Sequence, residues 1–162
     1  MQVIENLDGL SQWVGREVAC SGWMLVDQAR IQRFADATDD HQWIHIDPAR
    51  SRSESPYRAA VAHGLLTLSL LPALLESCMR IDGVAVAINY GFDRVRFPSP
   101  VLAGSRVRAR VLLERLESVA GGVQAHWIAT VEIEGSDKPA CVAQMLARYL
   151  AARDDESLRR QR

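Results

Sequence analysis

This 162-residue sequence lacks several kinds of segment that would point directly to a class of protein. The first residues, MQVIENLDGL, lack the basic start and apolar run of a secretory signal peptide. No apolar stretch is long enough to cross a bilayer, and no Gly-rich phosphate loop is present. We therefore expect a cytoplasmic protein that does not engage a membrane.

Cysteine is also scarce. The three cysteines, Cys20, Cys78 and Cys141, are odd in number and far apart, so no pair has the spacing of a zinc knuckle or a redox motif. Each lies among apolar neighbours, which predicts buried free thiols and fits a reducing compartment.

The chain has no excess of positive charge. Its net charge is −1 and 48% of its residues are hydrophobic, which predicts one domain with one core and no nucleic-acid partner. Arginines nevertheless cluster in one region, at positions 94, 96, 106, 108, 110 and 115. This cluster is either a solvated strand face or a local patch for a phosphorylated ligand.

The hydrophobic pattern predicts an α+β fold. Asp27 is a candidate N-cap for a helix over 28–38, and residues 60–79 form a helix that is apolar on all sides, kinked at Pro72. Strands are predicted over 84–97, 105–116, 123–134 and 140–151, with turns at Gly104, Gly121-Gly122 and Gly135-Ser136. A long buried helix followed by an antiparallel meander suits a helix that fills a curved sheet.

The remaining segments are predicted to be short or irregular. Residues 7–14 suit a helical turn, 18–26 an extended segment, and 39–58 a loop with at most one further turn. The domain is expected to span residues 1–151. Residues 152–162 are expected to be a polar C-terminal tail.

Asp40 and His45 are the first candidates for chemistry. On a helix, residues five positions apart point in different directions, whereas on a loop ending at Pro48 they can converge on one water molecule. Histidine exchanges a proton near neutral pH, and the carboxylate can orient the water or accept a proton. Asp-x4-His is weak by itself, and an ordinary histidine at a loop–strand junction remains an alternative.

The second candidate is Gly64, which follows His63 at the start of the apolar helix. A helix N-terminus offers free N–H groups that can polarise a carbonyl oxygen and stabilise an enolate. A glycine that merely permits close packing explains the same pattern equally well.

Three motifs in order resemble the MaoC-like family. FADATDDHQWIHIDP, residues 34–48, resembles its hydratase signature, and VAHGLLTLSLLP, residues 61–72, resembles its central helix. INYGFDRVRFPSPVLAGSRVRAR, residues 88–110, resembles the strands that follow. The DHQWIH wording is closest to the branch that includes NodN-like proteins and single-domain (R)-hydratases.

The resemblance implies a hot dog fold, a homodimer and (R)-specific hydration of 2-enoyl-CoA. By resemblance, Asp40 and His45 form the catalytic pair and the Gly64 N–H binds the thioester carbonyl. Ser69 falls where some members place an active-site serine, although a serine packed against the helix is an equal alternative. No metal or redox cofactor is implied, because CoA belongs to the substrate, and the acyl chain is expected beside the central helix.

Other residues carry weaker assignments. Gln42-Trp43 replaces the Asn-Pro of many members; Gln42 still offers an amide at the site, and the bulk of Trp43 could narrow the pocket. Arg94 and Arg96 are candidates to grip CoA phosphates, since arginine binds phosphate bidentately.

The other histidines are expected to have no catalytic role. His41 is expected to be exposed, His63 to hold the loop before the helix, and His126 to have no identifiable partner. A metal site from His41, His45 and Asp47 is conceivable by residue type, but it would compete with the proposed use of His45.

Two other functions stay open at this point. Hot dog proteins also host acyl-thioester hydrolysis, which would release free thiol from acyl-CoA, whereas hydration releases none. A non-catalytic acyl-thioester-binding subunit would bind enoyl-CoA without altering its ultraviolet absorbance.

Overall fold

The computed structural model describes residues 1–151; the predicted tail at 152–162 lies outside them. Five helices are α1 Gln28–Thr38, α2 Trp43–Ile46, α3 Pro48–Glu54, α4 Gly64–Ser69 and α5 Leu71–Glu76. Eight strands are β1 Gln2–Ile4, β2 Arg16–Cys20, β3 Met24–Val26, β4 Met79–Ile81, β5 Val84–Arg96, β6 Ser105–Val119, β7 Gly122–Ile133 and β8 Cys141–Ala151. A 3-10 helix, Asp8–Trp13, supplies the helical turn expected near the N-terminus.

The main sheet is antiparallel and has the strand order β2-β6-β7-β8-β5, with β3 also paired to β6. All four strands predicted for the second half of the chain are confirmed, and the extended segment at 18–26 divides into β2 and β3. Side chains alternate along β6, where Val107, Ala109, Val111 and Leu113 are buried. The intervening arginines lie on the outer face, because successive strand residues point to opposite sides.

The helical layer covers the inner face of the sheet. The predicted single helix over 60–79 begins only at Gly64 and breaks at Leu70 into α4 and α5, with Pro72 in the first turn of α5. This placement fits proline, because the first-turn N–H has no intrahelical partner to lose. The prediction that this segment is buried on all sides is wrong for the first turn of α4, since Leu65 is 61% exposed. In α5, by contrast, Leu71 and Leu74 are buried.

The segment between α1 and α4 is more helical than predicted. Asp27 caps α1 as expected, its carboxylate accepting from the Arg30 N–H at 2.8 Å. The predicted loop over 39–58 instead contains α2 and α3, because Asp47 caps α3 through the Arg50 N–H and Pro48 opens it.

A short parallel pair, β1 with β4, joins the N-terminus to the end of α5 and was not predicted. Three-residue strands carry too little alternation to be recognised. Cys78 and Cys141 are buried free thiols as predicted, whereas Cys20 is only half-buried. No helix within residues 1–151 is long and apolar enough to cross a membrane.

Candidate active site

The backbone leaves the helical conformation immediately before Asp40. Helix α1 ends at Thr38, and Asp39 adopts the left-handed conformation with φ of 58°. Asparagine, aspartate and glycine tolerate this conformation best, so the Asp-Asp step suits a helix end. Asp40 then lies in an irregular stretch, whereas His45 lies on the short helix α2. The expectation that both residues lie on one loop is therefore wrong for His45.

The fold nevertheless brings the two side chains together. A carboxylate oxygen of Asp40 and a ring nitrogen each of His45 and His63 lie within 4.8 Å of one another. His45 is buried, whereas the Asp40 side chain is 55% exposed. The buried His45 ring thus faces the Asp40 carboxylate, which solvent or substrate can reach.

Hydrogen bonds fix the His45 ring and its backbone. Its Nδ1 lies 2.6 Å from the carbonyl oxygen of Val61, and a carbonyl only accepts, so Nδ1 carries the proton. The Gln28 side-chain amide donates to the His45 carbonyl at 2.7 Å. In the neutral ring, Nε2 is then the proton acceptor, which is the form that a general base needs.

His63 lies against both members of the pair. Its ring stacks on that of His45, with centroids 3.7 Å apart and an interplanar angle of 26°. Its Nε2 donates to the backbone carbonyl of Asp40 at 2.9 Å. His63 is expected from the sequence to hold the loop before α4; the bond that its ring makes instead holds the stretch that carries Asp40.

The suggested metal site from His41, His45 and Asp47 does not form. His41 pairs with Asp36 at 2.9 Å, and Asp47 caps α3. Within residues 1–151, only Asp40, His45 and His63 are grouped closely enough to hold an ion. Their two imidazole rings are stacked in nearly parallel planes, with centroids 3.7 Å apart, and lone pairs that lie in two such planes are poorly placed to share one ion.

Gly64 opens α4 beside this cluster. Within the described residues, its N–H has no hydrogen-bond acceptor, as expected for the first turn of a helix. The ring of Phe97, which the sequence did not single out, covers the Gly64 Cα: a Cβ built there would lie 2.9 Å from Cδ2 of that ring. An available N–H therefore lies at a position where only glycine fits without movement of a neighbour.

The weaker site candidates have less support. Ser69 is exposed and donates to the carbonyl of Leu65 at 2.8 Å, which is the packed-serine alternative. Gln42 precedes α2 and is exposed. The Trp43 ring packs 4.3 Å beneath the guanidinium of Arg50.

The arginine cluster separates into two sets. Arg106, Arg108, Arg110 and Arg115 form ion pairs with Glu134, Glu132, Glu17 and Glu117, which matches a solvated strand face. Arg94 and Arg96 are exposed on β5, and Arg96 donates to the carbonyl of Val95 at 2.8 Å. His126 is buried and does have neighbours, with Gln124 and Glu117 each 3.2 Å from its Nε2.

The two histidines of the DHQWIH segment are expected to titrate in opposite directions. Burial lowers the pKa of His45, whereas the hydrogen bond that His41 donates to Asp36 raises the pKa of this exposed ring. An NMR titration should place His45 below and His41 above the ordinary value of about 6.5. Because a lowered pKa means weaker proton binding in the folded state, His45 disfavours folding as the pH falls below about 6.5. Superimposable titrations of the two rings would contradict this expectation.

The chain matches a known protein family and several named relatives. Residues 10–134 match the family model described as "MaoC like domain". The chain is 47% identical over 152 residues to 3-hydroxyacyl-thioester dehydratase Z of Mycobacterium tuberculosis, covering 93% of this chain and 100% of that protein. It is 48% identical over 145 residues to nodulation protein N of Rhizobium meliloti, covering 88% and 89% respectively.

Solved structures agree on the architecture. The (R)-hydratase from A. caviae superimposes with a TM-score of 0.66 at 22% identity, covering 83% of this chain and 94% of that one. An unliganded (R)-hydratase from Pseudomonas aeruginosa gives 0.66 at 20% identity, covering 87% and 83%. The predicted hot dog fold is confirmed.

Proposed function

Because the chain belongs to the MaoC-like domain family and is a hydro-lyase of the hydratase/dehydratase class, we propose that it is an (R)-specific enoyl-CoA hydratase. The observation that carries this proposal is the convergence of Asp40 and His45 beside the N–H of Gly64. The reaction is reversible syn addition of water across the 2,3 double bond of a trans-2-enoyl thioester.

The geometry supports a division of roles. In the neutral ring of His45, Nε2 is an acceptor, and the carboxylate of Asp40 is an acceptor as well, so a bound water donates one hydrogen to each. Its oxygen lone pair is then free to attack C3 while one of these two acceptors takes a proton from the water. The enolate-like oxygen accepts a hydrogen bond from the Gly64 N–H, and the acceptor delivers its proton to C2 on the same face. Each proton transfer of this kind contributes roughly 10²–10⁴-fold to the rate.

We infer that the acyl chain binds along α5. A cavity of about 280 Å³ lies between that helix and the edge of the sheet. Its lining is mostly apolar and includes Pro72, Leu75, Met79, Val84, Met145 and Tyr149. Pro72 is eight residues beyond Gly64, which corresponds to about 12 Å along a helical path. A chain that starts at Gly64 and follows the helices would reach this cavity.

The proposed carrier is CoA, and no further cofactor is expected. Arg94 and Arg96 stand on β5, whose last residue is followed by Phe97 against Gly64. Their exposed guanidinium groups can grip phosphate oxygens bidentately. These two arginines are therefore the proposed phosphate contacts.

The test is an assay of the purified protein on 2-enoyl-CoAs of increasing length. Hydration lowers the ultraviolet absorbance of the enoyl thioester, and chiral analysis should return the (R)-3-hydroxyacyl product. Release of free thiol instead would indicate a thioesterase. Binding of enoyl-CoA without a change in absorbance would indicate a non-catalytic subunit.

We also propose that the working form is a homodimer joined through β5. Among residues 1–151, this 13-residue strand pairs only with β8, along one edge, and it exposes Val86, Ile88, Tyr90 and Phe92. A long, hydrophobic free edge invites pairing with another chain. A second copy meeting this edge about a two-fold axis would cover it symmetrically.

The dimer is tested by a charge on this edge. Val86 is 49% exposed, so Val86→Lys should leave the protomer folded but place two lysines in the interface. Sedimentation analysis should show the dimer weakened at least about tenfold, equivalent to roughly 1.4 kcal/mol. Leu25→Lys is the matched control, because Leu25 is 48% exposed and lies on β3. A monomeric wild type, or equal effects of the two changes, would refute the β5 interface.

A further inference from the structure

One buried histidine in the cluster has no part in the proposed proton transfers. His63 is 4% exposed and lies between two rings: that of His45 at 3.7 Å and that of Phe34 at 5.1 Å. It is also the residue immediately before α4, so its backbone leads directly into the Gly64 N–H. A single residue thus contacts Asp40 and His45 and adjoins the third proposed element of the site.

Packing alone does not explain a histidine here. The ring nitrogen Nδ1 of His63 is buried without a hydrogen-bond partner among residues 1–151. Burying an unpaired polar atom costs stability, and a phenyl ring of similar shape would fill the space without that cost. If the ring served only to pack against Phe34 and His45, phenylalanine would serve better.

What phenylalanine cannot supply is the donor on the other side of the ring. The Nε2–H of His63 binds the main-chain carbonyl of Asp40 at 2.9 Å, and the same nitrogen lies 3.9 Å from the Asp40 carboxylate. Asp40 follows the left-handed Asp39 and precedes α2, so it lies in a stretch without regular backbone pairing. This bond ties that stretch to the start of α4.

We propose that His63 is a positioning residue for the hydration reaction: its Nε2–H fixes the backbone of Asp40 while its face fixes the His45 ring, so that both side chains meet one water beside Gly64. The inference rests on the proposed function. Misplacement of a reacting group by about 1 Å can cost roughly 10²-fold in rate. Because neither contact involves the thioester, loss of His63 should lower kcat and leave KM nearly unchanged.

Two substitutions separate the two contacts. His63→Phe keeps a flat ring on His45 but removes the donor, and we expect kcat to fall by roughly 10- to 100-fold with KM within about threefold. His63→Gln places an amide nitrogen near the position of Nε2 and should recover much of that loss. His63→Asn carries the same amide on a shorter side chain and should not.

The matched control is His126→Phe. His126 is similarly buried, at 5% exposed, but lies on β7 among Gln124 and Glu117. This change can lower the melting temperature, and kcat per folded molecule should stay at the wild-type value. A kcat loss of the same size in both Phe variants would show that the effect is general loosening and would overturn the proposal.

The remaining outcomes also decide the matter. Full kcat in His63→Phe, or a loss confined to KM, overturns the positioning role. If His63→Phe does not fold, the comparison of Gln with Asn decides, and equal activity of those two variants overturns it.

A wild-type protein that hydrates no enoyl thioester refutes the proposed function instead. In that case, crystal structures of wild type and His63→Gln or His63→Asn test the positioning alone: the Asp40–His45 approach, within 4.8 Å here, should survive with Gln and lengthen with Asn.

Discussion

Replacing Asp40 by Asn, or His45 by Gln, should reduce hydration of crotonyl-CoA by roughly 10²–10⁴-fold each, with the protein still folded. Both changes keep a polar side chain of similar size but remove a group that can take a proton from the proposed water. Asp40→Asn presents an amide that is never a base, and His45→Gln loses the unprotonated ring nitrogen opposite the Nδ1–Val61 bond. The measurements are the initial rate of absorbance change and a thermal melt of each variant.

Neighbouring residues provide matched controls. Asp39→Asn makes the same chemical change one position earlier, at a left-handed residue that asparagine tolerates. His41→Gln does the same for the exposed histidine paired with Asp36. Both should retain near-normal turnover. Near-normal turnover in Asp40→Asn or His45→Gln would instead remove the basis of the catalytic assignment.

The sequence predicted the larger elements because their signals are strong. The N-cap at Asp27, the alternation along β6 and the glycine turns each specify local structure independently of the rest of the chain. The prediction for the segment after Asp39 was wrong because its local signals are weak. Helix α2 has only four residues and is fixed by tertiary bonds, such as those of Gln28 and Val61 to His45.

The candidate site could be predicted only in part, because some of its residues lie in recognisable motifs whereas other features depend on tertiary contacts. Asp40, His45 and Gly64 lie in motifs with family spacing, so the resemblance could point to them. The tautomer of His45 depends on the carbonyl of Val61, which is 16 positions away, and no local pattern indicates such a bond. His63 was assigned to loop support; its position directly before Gly64 was the available signal, but the stacking on His45 appears only in three dimensions.

The second large effect is expected from a single added methyl group at Gly64. In Gly64→Ala, the new Cβ would lie 2.9 Å from Cδ2 and 3.0 Å from Cγ of Phe97, which is closer than such atoms normally approach. The ring or the start of α4 must therefore move. Because the proposed carbonyl donor is the N–H of this same residue, we expect kcat/KM to fall roughly 10²-fold, the scale set by a shift of about 1 Å at a reacting group.

A second substitution separates the two explanations for that loss. Phe97→Ala removes the ring that the new Cβ would strike, so the double variant relieves the clash but keeps the methyl group at the helix start. If the methyl group itself obstructs the thioester oxygen, activity stays low in the double variant relative to Phe97→Ala alone. If displacement of Phe97 is the cause, adding Gly64→Ala to Phe97→Ala changes nothing further. Gly22→Ala is the control, because its Cβ would enter open space and should leave activity and stability unchanged. Wild-type kcat/KM in Gly64→Ala would contradict the expected loss, since it would mean that the Phe97 ring gives way without displacing the N–H at the start of α4.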